Sequence, residues 1–285
     1  MMLQTEQEKF EWELIYNYVI PIGIGVIAIF ILYRLIRIFQ VYYVALFKKP
    51  LLIYHYFNLK KLDTEQYSIL KKEYAFFRRL SLKQQRHFEH RVATFIKKTE
   101  FVGMQELFVT ERMKVLIAAT SIMLTFGFRK YLLDIIKTVI IYPKSYYSTI
   151  NETYHKGETN PQLKAIVFSW EDFRQGYHIG NDNLNLGVHE FGHAIHLNAS
   201  VNNDISSVMF NQGFYKLTSY LQNHQTVREN LIASKYFRAY AYTNHYEFFA
   251  VLMENFIETP SEFKSQFPQL YKYMQQMLNF KFAGY

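Results

Sequence analysis

One pentapeptide constrains this chain more than any other feature: His189-Glu190-Phe191-Gly192-His193, an H-E-x-x-H motif inside an apolar, helix-compatible run from Leu184 to Leu197. Residues four apart lie on one face of a helix. His189 and His193 can therefore offer two imidazole nitrogens to one metal ion, and Glu190, one position on, can reach a water held there. Two histidine ligands with a glutamate general base form the zinc-peptidase arrangement. The competing reading is a pair of ordinary helical histidines, one buried and one solvated. Val188, Phe191, Ala194, Ile195 and Leu197 argue against it, because they make the segment apolar, as a buried active-site helix requires. Gly192 costs about 1 kcal/mol of helix propensity relative to alanine, and reads as a place where a strand or substrate approaches closely.

Catalytic zinc takes three protein ligands and keeps a fourth position open. His196 shares the motif's helical face, but three ligands on one straight helix cannot easily surround a metal. It reads better as a residue that orients a ligand or packs the core. The other candidates lie on a second predicted helix, Tyr246 to Glu258. There Glu247, Glu254 and Glu258 share a face, opposite Phe248, Phe249, Val251, Leu252 and Phe256. Spacing leaves open whether this is a solvated stripe, or a ligand carboxylate with a second acid orienting a ligand histidine.

Six blocks in order then become recognisable: Phe95 to Gly103, Phe108 to Ala119, Val139 to Pro143, Ser169-Trp170, Asn185 to His193, and Tyr240 to Phe256. Over roughly Leu80 to Leu270 the chain resembles the Mlc titration factor A family, zincin-type peptidases with zinc sites related to that of anthrax lethal factor. The resemblance implies His189 and His193 as zinc ligands, Glu190 as base and Glu247 as third ligand, with Glu254 supporting a ligand. Tyr240, which matches a family tyrosine, is the expected donor to the oxyanion, although the chain has 24 tyrosines and most of them must pack or sit at interfaces. Two departures stand out. An aspartate common in the family shortly after the second histidine is replaced by His196, and a family proline before the third ligand is absent around His245-Tyr246.

The N-terminal part sets the location. Leu14 to Tyr33 is a run of 20 uncharged residues, enough to span about 30 Å as a helix. A signal peptide would carry a basic leader and a small-residue cleavage site; here Glu6, Glu8, Glu11 and Glu13 precede the run, and Arg34 and Arg37 follow it. An uncleaved single-pass anchor is expected. The formal net charge of +8 is concentrated after that run, with 15 basic against 5 acidic residues in 34–100. The bias predicts a cytoplasmic-membrane protein with its N-terminus outside, its catalytic domain in the cytoplasm, and contact with anionic headgroups. Leu35 to Phe47, apolar with Arg37 and Gln40 interspersed, is expected along the interface. No aromatic-basic motif supports a nucleic-acid partner. The absence of cysteine removes disulfides and thiolate zinc sites.

The expected fold is α+β and mainly helical: a zincin-like metallopeptidase domain with a small sheet beside the motif helix, preceded by one transmembrane helix. The expected divisions are a short acidic tail (1–13), the anchor (14–35), a basic juxtamembrane helical segment (36–79) and the peptidase domain (80–285). Ser81-x-x-Gln84 predicts a capping-box helix through about Lys98, and Thr110-Glu111 opens another through Phe126. Thr138–Tyr142 and Ala165–Phe168 read as strands, the polar stretch 147–162 as a loop, and 199–206 as a break after the motif helix. Three functions compete. The first is a membrane-anchored zinc peptidase acting on peptide or protein substrates, for which the resemblance implies aminopeptidase-like activity. The second is a regulatory module that binds a protein partner, as relatives that titrate the repressor Mlc do. The third is an envelope-structural protein with an accidental motif. An intact Glu190 favours catalysis, since a pure binder needs no general base.

Overall fold

The structure, a computed structural model, describes residues 6–148 and 152–285. It divides into two compact units after Phe47. The first unit is helical from Glu6 onward, with a π turn at Ile15–Val19 between Glu6–Leu14 and Ile20–Phe47. The π turn has a local cause. Pro21 has no N–H to give and its ring crowds the preceding turn, and the wider turn, in which Ile20 N–H bonds to Ile15 O, accommodates it. Lys9–Phe47, 39 residues, is long and apolar enough to cross a membrane. At 1.5 Å per residue it reaches about twice the hydrocarbon thickness. Leu35 to Phe47 continues the same helix.

The second unit starts at Lys48, whereas the sequence places a juxtamembrane segment up to residue 79. The reason is burial: Leu62, Leu70, Phe76 and Phe77 all lie in its core. Arg91 ties this early stretch down. Fully buried, it donates to the carbonyls of Phe126 (3.0 Å) and Phe128 (2.9 Å) and to the Tyr56 hydroxyl (2.6 Å). It also lies against the rings of Tyr54 and Tyr131. A guanidinium carries five donors and no acceptor, so carbonyls just past a helix C-terminus suit it.

A four-stranded sheet positions the site. Its order is β1 (Glu100–Gly103), β2 (Thr138–Tyr142), β6 (Ala165–Ser169), β5 (Gly157–Asn160). β1, β2 and β6 run parallel, and β5 closes the edge antiparallel to β6. All five residues of β6 are buried, as expected of an inner strand covered on both faces. The capping-box helix forms at Leu82–Lys98, with Ser81 N–H donating to Gln84 Oε1 (3.0 Å) and Gln84 N–H to Ser81 Oγ (3.4 Å). The Thr110-capped helix runs Glu111–Leu124, two residues shorter than expected, and eleven of its residues are buried.

Two expectations change. The stretch 147–162, outside residues 149–151, which lie beyond the described residues, is not a loop. It contributes to a hairpin, β3 (Tyr146–Ser148) against β4 (Thr153–His155), and then to β5. These strands are three or four residues long and polar, so they carry no hydrophobic alternation for a pattern to find. The break after the motif helix is also shorter than 199–206. That helix runs to Val201, and the next, Ile205–Asn223, starts at once because Asp204 accepts from the Ser206 and Ser207 N–H groups.

Candidate metal centre

The motif helix, Leu186–Val201, packs along the carboxylate helix, His245–Glu258. Gly192 lies at this contact: a Cβ there would meet Ala250 Cα at 3.5 Å. The close neighbour is thus the second helix, not a strand or substrate. Asn185 caps the motif helix, its Oδ1 accepting from Val188 N–H at 3.0 Å. The same residue ties the cap to the carboxylate helix. Its N–H donates to Glu254 Oε2 (3.2 Å) and its Nδ2 to Glu258 Oε1 (2.9 Å).

Among the described residues, His189, His193 and Glu247 form a group able to hold a metal, with ligand atoms within 4.8 Å of one another. The two Nε2 atoms stand 3.1 Å apart. Glu247 Oε2 lies 3.1 Å from His189 Nε2 and 3.4 Å from His193 Nε2. Yet that oxygen is buried with no hydrogen bond of acceptable geometry. His189 Nδ1 lies 2.5 Å from Glu254 Oε1. A carboxylate only accepts, so this contact calls for a proton on Nδ1, the arrangement that would leave Nε2 to a cation. Two imidazole nitrogens and a carboxylate oxygen converge, and such a donor set suits a cation. The residues therefore fit a divalent ion with histidine and carboxylate ligands.

The electrostatics follow from these neighbours. Burial pulls the His189 imidazole down, but the facing carboxylates of Glu247 and Glu254 push it up, to about 9. Burial raises Glu247, and the two imidazoles outweigh it, holding that carboxyl far below the usual carboxylate range. Glu190 is pushed up by burial, against the pull of His189 and His193. Its Oε2 accepts from Thr159 Oγ1 at 3.1 Å.

The structure also brings Tyr240 to this place. It sits on a 3-10 turn, Ala239–Tyr242, with its ring 6.2 Å from that of His189. Burial, then the nearby Glu247, pushes its phenol up to about 12. Glu254 is fully buried beside His189. Of the two roles read for His196, orienting a ligand or packing the core, its surroundings favour the second. Its ring lies 4.2 Å from that of Phe214 and 4.7 Å from that of Tyr246, and its Nδ1 is buried without a partner. Burial pushes it down to about 4, so it stays neutral and packs the core.

Sequence reasoning missed Arg238 and Thr159. Arg238 donates to Glu254 Oε1 at 2.6 Å and compensates that buried carboxylate. A buried acid demands such a partner, but no spacing rule pointed 16 residues upstream of Glu254. A cleft of about 470 Å³ opens on the centre, lined by His189, Glu190, Arg238, Tyr240, Asp172 and Glu254 among others.

Residues 55–279 match the model of the glucose-regulated metallopeptidase family M90. An uncharacterized protein of Synechocystis sp. is 22% identical over 232 residues, spanning 73% of this chain and 81% of that protein. The family match covers most of the chain, including the whole helical pair that carries His189, His193 and Glu247, and the chain accordingly belongs to the M90 metallopeptidases, the Mlc titration factor family.

Proposed function

We propose that the chain is a membrane-anchored, zinc-dependent peptidase that hydrolyses peptide bonds, with aminopeptidase-like action on short peptides. The observation that carries this reading is the convergence of His189 Nε2, His193 Nε2 and Glu247 Oε2 beside the buried Glu190. His189, His193 and Glu247 would hold the ion. Bound there, it supplies Lewis-acid polarisation of the scissile carbonyl and acidifies water. Glu190 takes the proton from the attacking water and passes it to the leaving amine. Burial makes its carboxylate more basic than usual, which suits a group that must accept and then return a proton. Tyr240 donates its phenolic hydrogen to the oxyanion of the tetrahedral adduct. Glu254, held by Arg238 and the Asn185 N–H, fixes the His189 ring and tautomer.

The long apolar N-terminal helix supports anchoring. The excess of Lys and Arg after it supports a cytoplasmic catalytic domain that touches anionic headgroups. The test uses the full-length chain in detergent beside its His189→Ala variant. Elemental mass spectrometry should find about one zinc per chain, lost in the variant, and a fluorogenic peptide library should be cleaved by the parent alone. Absence of metal in the parent after zinc addition would overturn the peptidase reading in favour of a protein-binding module. A reporter fused after Tyr285 should read cytoplasmic; an external signal would overturn the orientation.

A further inference from the structure

The seat of Glu190 is built by a strand the sequence hid. β5 is the edge strand, with Gly157 opposite Phe168 and Thr159 opposite Ile166 on β6. Residues two apart on a strand face the same side. Gly157 and Thr159 thus both turn toward the motif helix, and each touches Glu190 in a different way.

At Gly157 the contact is one of space. A Cβ there would stand 2.9 Å from Glu190 Cγ, 3.0 Å from Glu190 Oε1 and 2.8 Å from Leu186 Cδ1. The bare Cα lets the glutamate side chain pass and leaves Oε1 in the space above it. At Thr159 the contact is a donor. Its Oγ1 lies 2.9 Å from the Glu190 backbone carbonyl and 3.1 Å from Glu190 Oε2. A threonine hydroxyl has a single proton, and here both acceptors belong to one residue. Shared between the two, that proton draws Oε2 back toward the backbone of its own residue, whereas Oε1 has no hydrogen-bond partner among the described residues.

We propose that Thr159 is a positioning residue for the general base: it holds Glu190 Oε2 so that Oε1, over Gly157, is the oxygen that accepts the proton. The inference rests on the peptidase reading above. A donor clamped to one oxygen fixes the other in direction, and general-base catalysis is sensitive to that direction. Thr159 acts through Glu190 and touches no substrate atom.

The test compares the zinc-loaded full-length chain in detergent with Thr159→Val, Thr159→Ser and Gly157→Ala, assayed on a peptide cleaved from the library, with zinc content and crystal structures of each. Thr159→Val is isosteric and removes only the donor. It should lower kcat about 10- to 100-fold, keep KM within about twofold, keep its zinc, and show the Glu190 carboxylate rotated. Thr159→Ser should recover most of kcat, and Gly157→Ala should lose at least as much as Thr159→Val. Wild-type kcat in Thr159→Val, or a loss that serine fails to restore while the carboxylate stays in place, would overturn the assignment. If the parent cleaves no peptide, the peptidase reading fails, and the crystal structures decide the positioning alone: a carboxylate unmoved in Thr159→Val overturns it, a rotated one upholds it.

Discussion

His189 and His196 are seven residues apart on one helix, share a face, and have opposite chemistry. His189 is ringed by Glu247 and Glu254 and pushed up to about 9. His196 is ringed by Phe210, Phe214, Tyr246 and Phe249 and pushed down to about 4. Both are equally buried, at 9% exposure, so burial does not separate them. The partner elements do. The carboxylate helix presents acids to one end of the motif helix; at the other end its Tyr246 and Phe249 join Phe210 and Phe214 of the helix Ile205–Asn223 around His196. Helical spacing selects a face; what the neighbouring helices place against that face decides whether an imidazole meets carboxylates or fills a core.

The comparison breaks most visibly at Glu190. On the proposed mechanism, Glu190→Gln should lower peptide hydrolysis by about 10²–10⁴-fold while leaving zinc content unchanged, since it removes the proposed base and leaves the proposed ligands. Steady-state kinetics and elemental analysis on one preparation decide it, and full activity in the variant would remove Glu190 from the mechanism.

Next in size is the contrast within the acids around His189. Glu254→Ala releases the His189 Nδ1–H and strips Arg238 of its carboxylate, and should weaken zinc binding about 10- to 100-fold. Glu247→Ala removes a proposed ligand atom itself and should weaken it further. Competition titration with a chromophoric chelator gives the order; the reverse order would mean that Glu254, not Glu247, is the ligand.

These contrasts mark how much was legible in the sequence. H-E-x-x-H, the Ser81 and Thr110 caps, and β2 and β6 were all visible, because each is a local signal of period, cap chemistry or β-branching. Glu247 was not separable from Glu254 and Glu258 by spacing and needed the family resemblance, because all three share a helical face. β5 has the composition of a turn, Gly157-Glu158-Thr159-Asn160, and only its pairing with the buried β6 makes it a strand. Thr159 and Arg238 reach the centre through such nonlocal contacts, which a single sequence does not encode as a pattern. The boundary at Lys48 was missed because aromatic burial around Arg91 is a tertiary fact.

Glu258 extends the comparison to stability. Burial raises its carboxyl to about 7, against the pull of donors from Asn185 and Asn183. A folded-state value above the ordinary glutamate value of 4.5 means that the native state holds the proton more tightly than the unfolded chain. The stabilisation is therefore complete below pH 4.5 and is lost as pH rises through about 7. Glu258 is partly exposed, so solvent screening limits the change to on the order of 1–3 kcal/mol. Glu258→Gln should flatten the melting temperature between those pH values, relative to the parent. An unaltered pH dependence would show that this carboxyl titrates normally.

The smallest effect belongs to His196. Its Nδ1 is buried without a partner, a cost of about 1–3 kcal/mol for a polar group, and its neighbours are rings. His196→Phe removes that cost and adds a little volume to a packed site. The two nearly cancel, and the net change should be within about 1 kcal/mol, on the stabilising side. Zinc content and peptide hydrolysis should stay at parental levels, in contrast to the loss of both in His189→Ala. A drop in zinc affinity in His196→Phe would mean that the aromatic end of the helix also tunes the metal, and that the motif's two ends are one site rather than two environments.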